Sequence, residues 1–196
     1  MLPFWDKYWR NHYGGRRGFV LYWIYKTFMW LGIYRRQSNI DWSRVDRVVF
    51  VCMGNICRSP VAGAIARAEG YRAYSVGLNC SAGVPADERA SEHARFFGVD
   101  LNTHGATPFT DFAFTERDLV VAMEPMHWRH PDAQAMTIAQ KTLLGLWHRK
   151  PNPYIHDPFQ TSDEYYQLCE QRIVEATAEM LSHAKHARLS WNPSTA

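Results

Sequence analysis

Apolar runs of strand length alternate with helix-like segments from residue 47 onward, and this alternation is the clearest structural pattern in the chain. Three runs predict buried strands: residues 47–51, 71–76 and 118–123. Two intervening segments predict helices: residues 60–69 and 87–97. Pro60 stands in the first turn of one helix and Gly98 directly follows the other, which is where helices tolerate these residues best.

The most regular helical pattern lies near the C-terminus. Its apolar positions recur every three or four residues, at Tyr166, Cys169, Ile173, Ala176, Met180 and Ala184. Thr161 and Glu164 precede it with the spacing of a capping box, so the helix is predicted to begin there. Strands that alternate with helices are typical of an α/β fold, in which helices cover both faces of a parallel sheet.

Composition separates residues 1–46, here named the N-terminal extension, from the rest of the chain. The extension holds eight Lys and Arg against three Asp and Glu, a net charge of +5, while the remaining residues carry −2. It also holds 13 of the 28 aromatic residues. Composition therefore marks two units, the basic, aromatic-rich extension and a near-neutral domain that begins around residue 47. We expect this domain to cover residues 47–187 and to be followed by a C-terminal tail over residues 188–196.

The extension contains an apolar stretch, residues 18–34, that could interact with a membrane. Its seventeen residues fall short of the roughly 20 needed to span a bilayer, and Lys26 in its middle would cost about 2.5 to 3.5 kcal/mol there. No cleavage site of a signal peptide follows it. Two interpretations stay open: a helix packed on its own domain or on another copy, which we favour, and an interfacial helix on anionic lipid. We expect a cytoplasmic protein, with peripheral membrane attachment through the extension left open.

The overall composition, 46 % hydrophobic and 21 % charged, excludes a disordered or disulfide-stapled chain. The four cysteines have neither a zinc-ligand spacing nor the pattern of a secreted framework, which favours reduced thiols. We expect no metal, no cofactor and no nucleic-acid partner.

The loop after the first predicted strand contains the candidate chemistry. Cys52 and Arg58 are separated by five residues, a spacing that can close a tight loop whose backbone N–H groups converge on one anion at a helix N-terminus. Such surroundings favour the thiolate of Cys52, while Arg58 can hold two phosphoryl oxygens in a bidentate fork. Gly54 and Asn55 suit a left-handed or cramped backbone, and the Ser59 hydroxyl can donate to the Cys52 sulfur. The predicted phosphate-binding residues are Met53, Gly54, Asn55, Ile56, Cys57, Arg58 and Ser59.

Residues 51–60 (VCMGNICRSP) closely resemble the signature loop of the low-molecular-weight protein tyrosine phosphatases. The resemblance extends over residues 47–187 and includes further motifs: SVG at 75–77, PAD at 85–87, HGA at 104–106, DLVVAM at 118–123, LLG at 143–145 and DPF at 157–159. It implies a three-layer α/β/α fold with a central parallel four-stranded sheet and an N-terminal phosphate-binding loop, to which this chain adds a helical extension.

The resemblance also implies a mechanism and a substrate class. Cys52 would attack the phosphate ester to form a phosphocysteine, and Asp157 would protonate the leaving oxygen and then activate water. Met53 and Phe159 would wall the slot for the aromatic ring of a phosphotyrosine-containing protein. For Asp157, a turn-forming Asp-Pro is the alternative.

Cys57 has two interpretations: a small apolar residue under the loop, or a resolving thiol that forms a disulfide with an oxidised Cys52. His104 and His156 are expected to be structural. Glu124 stands where the family usually has Asp, and Thr107 where it usually has Arg, and we place both outside the catalytic set.

Two other functions compete with phosphatase activity. Arsenate reduction on the same fold needs a relay of two further cysteines, but Cys80 and Cys169 lie far apart in the sequence. A module that binds phosphate without turnover would not require Cys52, Arg58 and Asp157 together. We therefore expect a protein tyrosine phosphatase, with an arsenate reductase-like thiol oxidoreductase as the alternative.

Overall fold

The computed structural model describes residues 4–130, 136 and 138–185, so the predicted tail lies outside the described residues. Its centre is a four-stranded sheet in the order β2-β1-β3-β4, and all three strand pairs are parallel. The strands are β1 (Arg47–Cys52), β2 (Ala73–Gly77), β3 (Asp118–Ala122) and β4 (Gln140–Leu143). The predicted fold class is confirmed, and the three strand predictions are correct to within two residues.

The inner strand β1 explains why its sequence is apolar without interruption. Phe50 is paired with Ser75 of β2 on one side and with Val121 of β3 on the other, so no edge of β1 reaches water. Val48 and Phe50 face one layer of the core, and Val49 and Val51 face the other. A strand covered on both faces cannot alternate apolar with polar residues.

Three helices cover one face of the sheet: α3 (Arg58–Ala68), α4 (Glu88–Phe96) and α5 (Asp163–Ala184). The apolar stripe predicted for the last helix is buried along α5 at Tyr166, Cys169, Ile173, Ala176, Met180 and Ala184. Short 3₁₀ turns and connecting segments close the opposite face, where Phe109 and Met136 are buried. As predicted, Gly98 ends α4 with a positive φ of 75°.

The predicted capping box is wrong by one residue. Ser162, not Thr161, is the N-cap of α5, and its hydroxyl accepts the backbone N–H of Tyr165 at 3.3 Å. The Thr161 hydroxyl instead donates to the carbonyl oxygen of Pro158 at 2.6 Å, and its N–H bonds the same oxygen at 3.0 Å. Thr161 therefore closes the preceding turn, and α5 begins only after that turn is complete.

The N-terminal extension forms two helices, α1 (Phe4–Tyr13) and α2 (Arg16–Trp30), joined at Gly14 and Gly15. The φ angles of these glycines, 74° and 124°, lie in the region that other residues avoid. The inner face of α2 packs on the domain: the Tyr25 ring stacks on that of Tyr154 at 5.3 Å, and Tyr25 shares a buried cluster with Leu143. Among the described residues, no helix is long and apolar enough to cross a bilayer.

A buried carboxyl group lies between α4 and α5. Glu170 is 1 % exposed, and its Oε2 lies 2.7 Å from Nδ1 of His93. Burial, with the nearby Asp87 carboxylate, raises the pKa of Glu170 from 4.5 to about 9. At neutral pH Glu170 is therefore protonated, so a neutral carboxyl group lies against the His93 ring.

We predict that Glu170→Gln reduces the loss of stability at high pH. The folded wild type holds a proton on Glu170 that the unfolded chain releases above pH 4.5, so its contribution is complete below pH 4.5 and is lost as pH rises through about 9. The amide of Gln has nearly the same shape as the protonated carboxyl group but does not titrate. In denaturant unfolding, the free energy of unfolding of the variant minus that of the wild type should increase by at least ~1 kcal/mol from pH 5 to pH 8.5. A pH-independent difference between the two proteins would contradict this prediction.

Candidate active site

The loop between β1 and α3 places the Cys52 sulfur among hydrogen-bond donors. Cys52 is the last residue of β1 and is buried. Its Sγ accepts the backbone N–H of Asn55 at 3.2 Å and lies 3.0 Å from the hydroxyl of Ser59. These two contacts hold the sulfur in place at the end of β1. The contact between Ser59 and Cys52 has the geometry predicted from the sequence.

Asn55 fixes the shape of the loop. Its φ of 51° confirms the predicted left-handed position, which Asn tolerates better than most residues. The buried side chain accepts the N–H of Thr107 at 2.8 Å and donates to Ser59 Oγ at 2.8 Å, and Ser59 Oγ also lies 3.5 Å from the Val76 carbonyl. The carbonyl of Asn55 lies 2.8 Å from Nε2 of His104. Burial lowers the pKa of His104, so its neutral ring is a structural support of the loop.

Arg58 is the first residue of α3 and its side chain is almost completely buried, at 1 % exposure. Nη1 donates to Glu124 Oε1 at 2.5 Å and to the carbonyl of Ile155 at 2.9 Å, while Nη2 donates to Asp157 Oδ2 at 2.7 Å. Burial by itself would lower the pKa of Arg58, but the carboxylates of Asp157 and Glu124 outweigh burial and hold it well above its ordinary value. The guanidinium is therefore charged and oriented at the base of the site.

Glu124, which the sequence analysis placed outside the catalytic set, is a partner of Arg58 that the sequence analysis did not predict. It follows Met123 just beyond the carboxyl end of β3, and β3 pairs directly with β1, which ends at the loop. Side chains at the carboxyl ends of neighbouring parallel strands meet at one edge of the sheet. A carboxylate directly after a buried strand was the signal in the sequence that could have identified Glu124 as a partner of Arg58.

Asp157 reaches the site from the segment before α5, 99 residues after Arg58. Its Oδ1 accepts the backbone N–H of Phe159 at 3.2 Å, and its side chain is 39 % exposed, so it can meet both substrate and water. Met53 and Phe159, 38 % and 48 % exposed, flank the opening. One cleft is lined by Cys52, Met53, Gly54, Ile56, Cys57, Arg58, Asp157 and Phe159.

Most of the predicted site residues therefore meet in this cleft, but two of them do not line it. Asn55 and Ser59 are both buried beneath the loop, where they support Cys52. Among the described residues, no three His, Cys, Asp or Glu side chains are grouped as metal ligands. The chemistry available in the cleft is that of a nucleophilic sulfur, a fixed cation and a carboxyl group.

Cys57 is buried at the N-cap of α3, and burial raises its pKa to about 12 despite the nearby Tyr166 hydroxyl. Its thiol is therefore protonated at neutral pH. All four cysteines of the chain are free thiols in the structure.

A sequence model described as low molecular weight phosphotyrosine protein phosphatase matches residues 47–190. The chain belongs to this family, and the N-terminal extension lies outside the match. Among curated relatives, the low molecular weight protein-tyrosine-phosphatase Etp of Escherichia coli is 32 % identical over 139 residues, which are 69 % of this chain and 93 % of Etp.

Two solved structures share the fold. The tyrosine phosphatase AmsI of Erwinia amylovora aligns with a TM-score of 0.58 at 27 % identity, over 71 % of this chain and 93 % of AmsI. A mutant of the YwlE arginine phosphatase, with a phosphorylated active-site serine in place of cysteine, aligns with a TM-score of 0.60 at 27 % identity, over 72 % of this chain and 97 % of YwlE. The names of these two structural neighbours thus refer to two different phosphorylated residues.

Proposed function

We propose that this protein hydrolyses phosphotyrosine in proteins through a phosphocysteine intermediate at Cys52. The observation that carries this proposal is the placement of the Cys52 sulfur, held by the Asn55 N–H and Ser59, in one cleft with Arg58 and Asp157. The phosphorylated active-site serine of the structurally similar YwlE mutant supports a covalent intermediate at the nucleophile.

The proposed reaction has two displacements at phosphorus. In the first, the Cys52 thiolate forms a bond to phosphorus, the bond from phosphorus to the aryl oxygen breaks, and the Asp157 carboxyl donates its proton to that oxygen. In the second, the Asp157 carboxylate removes a proton from water, the water oxygen bonds to phosphorus, and the phosphorus–sulfur bond breaks to restore the thiolate. Arg58 and the loop N–H groups stabilise the phosphoryl oxygens throughout.

The lining of the cleft favours an aryl substrate over a phosphorylated guanidinium. Met53, Ile56 and Phe159 provide apolar surface around the opening, which suits the face and edge of a phenol ring. A guanidinium would need hydrogen-bond acceptors along the same walls. A phenolate of pKa about 10 also leaves more readily than a serine alkoxide, so Asp157 has less to contribute for tyrosine.

Two alternatives are not favoured. Arsenate reduction requires two further thiols in relay, but Cys169 lies on α5 with its Sγ 3.5 Å from the His156 carbonyl, whereas Cys80 lies beside Gly77 after β2. A module that only binds phosphate would not need Asp157 placed beside Arg58. The family relatives are named as phosphatases.

We predict that the purified protein releases phosphate from a phosphotyrosine peptide and from p-nitrophenyl phosphate, and much more slowly from phosphoarginine. Cys52→Ser should abolish turnover because an alcohol is a far weaker nucleophile than a thiolate. Asp157→Asn should lower kcat/KM for phenyl phosphate by about 10² to 10⁴ and for p-nitrophenyl phosphate by much less, because the nitro group stabilises the departing phenolate.

Other results would contradict the proposal or indicate a different function. Full activity of Cys52→Ser, or phosphoarginine as the better substrate, would contradict the proposal. Arsenate-dependent consumption of thiols by the wild type would indicate the reductase instead.

We also propose that Cys57 protects the nucleophile from irreversible oxidation in a reducing compartment such as the cytoplasm. Peroxide would oxidise the Cys52 thiolate to a sulfenic acid, with hydroxide as the other product. The Cys57 sulfur would then bond to the Cys52 sulfur, and the sulfenic oxygen would leave as water with the Cys57 proton. A protonated thiol reacts more slowly with peroxide than a thiolate. The protonated state of Cys57 therefore supports a division of roles in which peroxide oxidises Cys52 and Cys57 resolves the product.

Peroxide-treated wild type should regain most of its activity in dithiothreitol, while Cys57→Ser should regain much less because its oxidation proceeds to sulfinic acid. Cys80→Ser is the matched control and should recover like the wild type. Equal recovery of Cys57→Ser, or a loss of recovery only in Cys80→Ser, would exclude Cys57 as the resolving thiol. Intact-mass measurement identifies the disulfide and the sulfinic acid.

We further propose that the outer face of α2 binds the surface of an anionic membrane. This outer face consists of Val20, Trp23, Ile24, Phe28 and Leu31, which recur at helical spacing and are 38–71 % exposed. Lys26 does not interrupt it, because Nζ turns toward the domain and donates to the Pro151 carbonyl at 2.5 Å. The face therefore presents aromatic and aliphatic side chains of the kind that enter the lipid interface.

Charge at both ends of α2 favours lipid over a second copy as the occupant. Exposed arginines precede the outer face at Arg16 and Arg17 and follow it at Arg35 and Arg36, although Arg16 also pairs with Asp6 at 2.6 Å. A twofold contact between two outer faces would set arginines against arginines in either direction, which is costly. Anionic headgroups complement both ends at once.

The full-length protein should float with vesicles of equal phosphatidylcholine and phosphatidylglycerol, and not with phosphatidylcholine alone. Binding should weaken with salt, and Trp23→Ala with Phe28→Ala should lower the partition coefficient by about tenfold or more through lost apolar burial. Phe96→Ala, which removes an 84 % exposed ring on α4, is the matched control. Absence of vesicle binding, with a solution dimer that the double variant dissociates, would establish self-association instead.

A further inference from the structure

The segment that leads to Asp157, residues 151–156, is held from two sides. On the sheet side, the N–H of Ile155 donates to Met123 O at 3.0 Å, and the N–H of Asn152 donates to Gly145 O at 2.9 Å. On the other side lies helix α2 of the N-terminal extension. Asn152 Nδ2 donates to the Tyr22 carbonyl at 3.1 Å, which adds a contact from α2 to the same residue.

A chain of stacked and hydrogen-bonded rings continues from α2 to the residue before the acid. Tyr25 of α2 stacks on Tyr154, with the ring planes inclined by 29° and both rings buried. The Tyr154 hydroxyl lies 2.5 Å from Nδ1 of His156. Each of these contacts restricts the next ring, so the orientation of α2 constrains His156, and His156 is bonded directly to Asp157.

The turn between α1 and α2 closes on the other edge of the same imidazole. A methyl group added at Gly14 would lie 2.4 Å from Cδ2 of His156, and one added at Gly18 would lie 3.1 Å from that atom. The backbone of the turn therefore touches His156 directly, and glycine is needed at Gly14 for space as well as for its φ of 74°. The ring of His156 is enclosed between the extension and Tyr154.

This enclosure is electrically neutral. Burial lowers the pKa of His156 and raises that of Tyr154, so at neutral pH the hydroxyl donates to an uncharged ring. No charge is added next to the Asp157 carboxyl by these two rings. The enclosure can therefore affect the Asp157 carboxyl only by fixing its position. An error of about 1 Å in the position of a catalytic group can lower the rate about 10²-fold.

We propose that the N-terminal extension positions the general acid, with Tyr25 acting on Asp157 through Tyr154 and His156. This inference rests on the function proposed above. The family match begins at residue 47, so the contacts of Tyr25 are an addition that this chain makes to the shared domain. Tyr25 is a positioning residue, because it touches neither the cleft nor the reacting atoms.

The test compares two esters that differ in their need for an acid, using the full-length protein. Tyr25→Ala should lower kcat/KM for phenyl phosphate by about tenfold or more and for p-nitrophenyl phosphate by less than about threefold, because only the first leaving group depends strongly on protonation. Tyr154→Phe keeps the ring and removes only the hydroxyl bonded to His156, so it should show the same imbalance more weakly. Tyr25→Phe retains the stacked ring, so its ratio of kcat/KM for the two esters should equal that of the wild type.

A purely structural role for Tyr25 predicts a different result. Partial unfolding removes active molecules and lowers turnover of both esters equally, so equal losses, or no loss in Tyr25→Ala and Tyr154→Phe, would overturn the inference. Tyr71→Phe is the matched control: it removes a buried hydroxyl that donates to Leu181 O at 2.8 Å, away from the cleft, and the ester ratio should not change.

The activity of the wild type separates the possible failures. If the wild type hydrolyses neither ester, the proposed phosphatase function itself fails, whatever the variants show. If the wild type is active and the ratio is constant across variants, only the positioning role of the extension fails.

Discussion

The buried guanidinium of Arg58 is the interaction on which the architecture of the site depends. A cation with 1 % of its side chain exposed is stable only where opposite charges and hydrogen-bond acceptors surround it. Glu124, Asp157 and the Ile155 carbonyl meet that need. These partners come from the end of β3 and from the segment before α5, so one charge draws together three parts of the chain. In the proposed reaction, the phosphoryl oxygens bind beside the same carboxylates.

The parallel sheet makes this convergence possible. The carboxyl ends of β1 and β3 lie side by side, so the loop after one strand and the carboxylate after the other face the same cleft. Within the loop, Asn55 acts on the Cys52 sulfur in two ways. Its backbone N–H donates to the sulfur directly, and its side-chain amide donates to Ser59 Oγ, which in turn contacts the sulfur. The nucleophile is thus supported by backbone conformation as well as by charge.

The extension adds a helix that is apolar on two sides, and each side has a separate consequence. The inner side, around Tyr25, supports the segment that carries the acid, while the outer side presents Trp23 and Phe28 to the solvent. Lys26 belongs to the inner side, so it does not interrupt the apolar outer side. A helix with both faces apolar has little amphipathic pattern, and its position is set by what it packs against.

The sequence by itself determined β1, β2 and β3, the helices of the domain and the loop with Cys52 and Arg58, because these depend on local patterns of burial and on residues close together in the chain. It indicated a fourth strand and the role of Asp157 only through resemblance to a family. It placed the start of α5 one residue early, and it missed Glu124, His156 as a contact of the extension, and the inward turn of Lys26. Only the tertiary structure decided these features, because each depends on which distant segment packs against a side chain. A local pattern of apolar and polar residues contains no information about such contacts.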